Sequence, residues 1–82
     1  MDAISALSDI ESLLINSARP NIQTAKRLIK LVEPRLSSTE IPIFNMLGSH
    51  LDALEIENSK TVITLALAVI SQAQLILVTN RS

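Results

Sequence analysis

The sequence predicts an all-α fold, a compact bundle of four helices with antiparallel neighbours. Three observations carry that reading. Apolar residues return at steps of three and four in four separate stretches. One Gly and three Pro are too few turn residues for a meander of short strands. The connections between the periodic stretches are short, which sets consecutive helices side by side.

The first helix is expected over about 2–17. Ala3, Leu7, Ile10 and Leu14 form its apolar row, flanked by Ala6 and Leu13, while Ile15 falls outside the stripe. Asp2, Asp9 and Glu11 lie toward its N-terminal half, where the helix dipole favours them. Asn16 to Asn21 is a break. Arg19 precedes a proline and is biased to extended backbone, and Pro20 suits the first turn of the next helix.

The second helix is expected over about 20–33. Ile22, Ala25, Ile29 and Val32 make its row, and Leu28 and Leu31 widen it. Lys26, Arg27 and Lys30 take the solvent side, and Pro34 ends or kinks the helix. The third helix is expected over about 39–57, with Thr39 as cap and Pro42 inside the first turn. Ile43, Leu47, His50 and Leu54 form one row, broadened by Phe44, Met46 and Leu51. Gly48 stands mid-helix, which a close helix crossing would explain. Asp52, Glu55 and Glu57 crowd the C-terminal half, against the dipole.

The fourth helix is expected over about 59–79, capped by Asn58 or Ser59. Thr61 to Asn80 is twenty residues without a charge, bracketed by Lys60 and Arg81. On a helical wheel the apolar residues cover a wide arc. Thr61, Thr64, Ser71, Gln72 and Thr79 occupy a narrow opposing stripe with Ala68, interrupted by Leu75. The length would span a bilayer. Gln72 and Gln74 would then sit near the midplane, and Trp and Tyr anchors are absent. A helix covered by its own bundle, and by a second copy, is the favoured reading, with a tail-anchored span as an alternative. Val62, Ala66, Val69, Ala73 and Ile76 form an alternating small and large row at heptad-like spacing. That row is the candidate seam for a homodimer, against ordinary packing within one chain.

Residues 1–82 amount to a single domain in which Ile, Leu and Val supply 28 of 82 positions, too apolar for disorder. A chain of this size buries only about 60–65% of its unfolded surface, so self-association is expected to add stability. The absence of cysteine excludes a disulfide scaffold, thiol chemistry and thiolate metal sites, and fits a reducing, cytoplasmic setting. The first twenty residues carry Asp2, Asp9 and Glu11 and no basic run, unlike a secretory signal. Phe44 is the only aromatic residue, so base stacking and aromatic cages have no material.

No constellation points to catalysis, a metal or a cofactor. His50 is the only histidine, and Asp52, two residues on, faces elsewhere on a helix. Gly48 is solitary, which rules out a glycine-rich phosphate loop. The net charge of −1 hides a dipolar arrangement. Arg19, Lys26, Arg27, Lys30 and Arg35 against Glu33 give +4 over residues 19–35, and the rest of the chain is −5. That basic segment is read as a solvated face, as a site for an acidic partner such as the Asp52, Glu55 and Glu57 edge of another copy, or as a phosphate contact. The third helix is too apolar and too acidic at its end to read base edges. The expected function is therefore non-catalytic: a small helical adaptor, regulator or chaperone-like module. It is expected to self-associate through its last helix and to bind an unidentified protein partner. A nucleic-acid-associated regulator is the alternative.

Overall fold

The computed structural model describes residues 2–16 and 19–81. Four α-helices follow one another: α1 (Ala3–Ile15), α2 (Ile22–Val32), α3 (Ile41–Ile56) and α4 (Lys60–Arg81), with a single 3-10 turn, Glu33–Arg35, after α2. Ser17 and Ala18, part of the predicted break, lie outside the described residues.

Local chemistry accounts for most of the boundaries. The Asp2 carboxylate accepts the Ser5 N–H at 2.8 Å and opens α1. The Asn21 side chain accepts the Thr24 N–H at 3.1 Å and opens α2. Pro20 therefore precedes the cap instead of forming the first turn. Pro34 has no N–H to donate, so α2 stops at Val32 and tightens into the 3-10 turn. Ser59 caps α4: its hydroxyl accepts the Thr61 N–H at 3.1 Å and its carbonyl accepts the Ile63 N–H at 3.0 Å.

The start of α3 departs from expectation. Thr39 is not its cap. The Ser37 carbonyl accepts the N–H groups of Glu40 and Ile41 at 3.0 and 3.1 Å, while Glu40 reaches back so that its Oε1 accepts the Ser37 N–H at 3.0 Å. This is one half of a capping box, which the run Ser37-Ser38-Thr39-Glu40 encodes. The Thr39 hydroxyl instead hydrogen-bonds the Ser37 hydroxyl and accepts from the Asn80 side chain at the end of α4. Asn80 also donates to Glu40 Oε2 at 3.2 Å, so a carboxylate only 3% exposed ties the α2–α3 connection to the last turn.

These contacts also fix the topology. The end of α4 meets the start of α3, and Gln23 and Lys26 near the start of α2 meet Glu55 near the end of α3. Leu13 in the second half of α1 shares a groove with Thr24 and Leu28 of α2. The bundle thus runs up, down, up, down. Helices α1 and α3 each touch both α2 and α4. The Cα radius of gyration is 11.8 Å, against about 11.7 Å expected of a compact chain of this length.

One core runs through the bundle. Ala3, Ala6, Leu7, Ile10 and Leu14 enter from α1, and Ala25 and Val32 from α2. Helix α3 contributes Phe44, Leu47, Leu51 and Leu54, and α4 contributes Ala66, Val69, Ile70, Ala73 and Leu77. Leu31 and Met46, placed by sequence on the widened apolar faces, are 59% and 49% exposed. Each sits at the margin of a stripe whose centre the core uses. In α3 that centre is the Phe44–Leu47–Leu51–Leu54 side, and Ile43 and His50 are only half-buried.

Gly48 lies at no close crossing. A methyl group built on it would meet nothing within 4 Å. It faces the open α2–α3 groove beside Ile29, Lys30 and Phe44. Since glycine in a helix interior is less favourable than alanine by about 1 kcal/mol, Gly48→Ala is expected to raise stability by about that amount. A urea titration with an unchanged slope would measure it, and a lowered midpoint would contradict this account.

Candidate functional site

The five predicted basic residues do not form one cluster. Arg19 lies at the α2 entry, in a depression lined by Asn21, Gln23, Glu55 and Ile56. Arg35 lies at the other end of α2, beside Ser37, Glu40 and Asn80. At ~1.5 Å per residue, α2 and its flanking turns hold the two apart by roughly 20 Å. Lys26 turns inward to α3, where its ammonium pairs with both Asp52 and Glu55. Gln23 donates to the second oxygen of Glu55 at 3.0 Å. Asp52 and Glu55, two of the three acids expected as a partner surface on another copy, are therefore engaged within the chain. That contact also offsets the unfavourable placement of acids near the α3 C-terminus. Arg27 and Lys30 remain exposed on α2, with no ion pair among the described residues.

His50 is half-buried, and its Nδ1 donates to the Met46 carbonyl one turn back at 2.8 Å. The ring is held by its own helix, and among the described residues no carboxylate or hydroxyl hydrogen-bonds it. Among the described residues, no group of three or more His, Cys, Asp or Glu side chains could hold a metal ion. The depressions on the surface are open; those beside α1 and α3 mix apolar and polar residues, and one on α2 is lined by Gln23, Lys26, Arg27 and Lys30.

Helix α4 offers a different kind of surface. Of the row predicted as a dimer seam, Ala66, Val69 and Ala73 are buried in the chain's own core, Val62 is half-buried against it, and Ile76 is half-buried. The opposite side of α4 faces outward. Thr61, Leu65, Ala68, Gln72, Leu75 and Thr79 lie there at steps of four, three, four, three and four, a second heptad-like row that is exposed throughout. Leu65 is 49% exposed, Leu75 68% and Val78 54%. By sequence this side is the polar stripe that Leu75 interrupts. Its signal as a surface is the interruption itself: leucines stand at positions where a purely solvated helix would carry Lys or Glu.

The neighbours of α4 extend this surface. Leu13 faces α2, so Ile4 and Ile15, about 160–180° round α1 from it, lie on the flank toward α4. They are 37% and 61% exposed. Asp52 and Glu55 face α2 from α3, so Met46, about 120–180° away, lies on the α4 flank of that helix. Among the described residues, α4 is also the one helix long and apolar enough to cross a membrane, with a mean hydropathy of 2.1 over the most apolar 18-residue window of Lys60–Asn80. No family model matches the chain, and comparison with curated proteins and with solved structures likewise finds no match.

Proposed function

We propose that the protein is a non-catalytic helical interaction module that self-associates through the outward side of α4. In that role it serves as a small adaptor, regulator or chaperone-like protein in a reducing compartment. The observation that carries this reading is the α4 surface: three large apolar side chains 49–68% exposed, on a helix without a charge from Thr61 to Asn80, flanked by Ile4, Ile15 and Met46. Monomeric proteins seldom leave such an area uncovered. The module keeps its basic α2 side, with Arg27 and Lys30 exposed, for an acidic protein partner.

Sedimentation velocity at micromolar concentration tests the reading. The wild type is expected at twice the 8.9 kDa chain mass. Leu75→Glu is expected at the monomer mass with unchanged helical content, because an exposed position tolerates charge within about 0.5 kcal/mol. A monomeric wild type, a dimeric Leu75→Glu variant, or recovery of the chain only in detergent would overturn it.

A further inference from the structure

We infer that two copies pair their α4 helices antiparallel about a two-fold axis passing level with residue 70, a proposal that rests on self-association through α4. The exposed row is self-complementary about that level: Thr61 is as far from it as Thr79, Leu65 as Leu75, and Ala68 as Gln72. An isologous contact brings each member of such a pair against the other on the partner. It stacks layers in which first and fourth heptad positions meet, the layering of antiparallel helix pairs. Leucine meets leucine in two layers, threonine meets threonine at both ends, and the long glutamine covers the short alanine twice in the middle.

A parallel pairing of the same row serves the side chains worse. It sets two alanines opposite one another, leaving a gap, and two glutamines opposite one another in the next layer.

The area required agrees with the flanking residues. A stable dimer buries about 800 Å² on each partner, roughly a sixth of the 4986 Å² surface of this chain. A strip of helix ~33 Å long and ~10 Å wide supplies less than half of that in projection. The α4-facing flanks of α1 and α3, with Ile4, Ile15 and Met46, complete it.

The chain has no cysteine, so introduced thiols report cleanly. Leu65→Cys and Leu75→Cys are prepared separately, checked for dimer mass by sedimentation, and oxidised mildly either alone or mixed. The expected result is a disulfide-linked dimer only in the mixture. Like thiols in the proposed pairing are ~15 Å apart along the axis, ten residues at ~1.5 Å each, whereas a disulfide requires Cα atoms within about 7 Å. In the second arm, the double variant Leu65→Glu with Leu75→Lys is expected to remain dimeric, because opposite charges meet, while each single variant is monomeric. Self-linking of either cysteine variant, or a dimer that links in no combination, overturns the register and leaves self-association standing. A monomeric wild type overturns self-association itself.

Discussion

Ala73→Glu is expected to abolish the cooperative thermal transition of the chain. Ala73 is fully buried in the same core as Leu7, Leu47 and Ile70. The substituted side chain would need both volume that the packing does not hold and a partner for its charge. An uncompensated buried carboxylate is several kcal/mol unfavourable even after relaxation. A domain of this size holds only about 4–12 kcal/mol of stability, at ~0.05–0.15 per residue. Circular dichroism during heating would show a broad, non-cooperative loss of signal, together with dye binding to exposed apolar surface. A sharp transition within a few degrees of wild type would mean that α4 meets the bundle by another side. The contrast with Leu75→Glu, two residues on, is what gives the experiment its force. One position is fully covered and the other is 68% exposed, so the same charge is expected to unfold the chain in one case and, under the proposed self-association, only to separate copies in the other.

Phe44→Ala is expected to lower stability by about 3–5 kcal/mol, through lost transfer free energy and the cavity that remains. Phe44 is 2% exposed and the largest fully buried side chain. It also lines the groove next to Gly48, so one side of the new void opens to solvent and collapses poorly. At about 4–8 °C per kcal/mol for a small domain, the melting temperature should fall by at least ~12 °C. Met46→Ala is the matched control: Met46 is on the same helix and 49% exposed, and its truncation should shift the transition by less than ~1 kcal/mol. Equal losses for the two variants would refute the orientation assigned to α3.

The helix count, order and pairing were legible in the sequence because they depend on periodicity, and the rows are strong. In α1 the predicted row is the buried row, and Ile15, read as lying off the stripe, is 61% exposed. What periodicity could not resolve is the centre of a broad stripe. In α3, rows through Ile43 and through Phe44 are both apolar, and only the neighbouring helices select the second. Two functional placements were illegible for the same reason. The Val62-to-Ile76 row has the spacing of a seam between chains, but packing within a chain writes the same pattern, and here three of its five residues serve the core. Basic residues close in sequence suggested one patch, yet Lys26 faces Asp52 and Glu55 while Arg19 and Arg35 fall at opposite ends of α2. Pairings between distant helices leave no local mark. The capping pattern from Ser37 to Glu40 did leave one, and the preference for Thr39 passed over it.

The hold of Asn80 on Glu40 and Thr39 sets the order of events when the chain is made. Synthesis delivers residues from first to last, and domains fold as they emerge. Here the final helix supplies a full side of the interior, and its closing turn grips a loop forty residues earlier. The nascent polypeptide therefore presents the greasy sides of its first three helices, without their cover, until α4 has been synthesised. The interval before α4 emerges is when the growing chain most needs shelter from its neighbours.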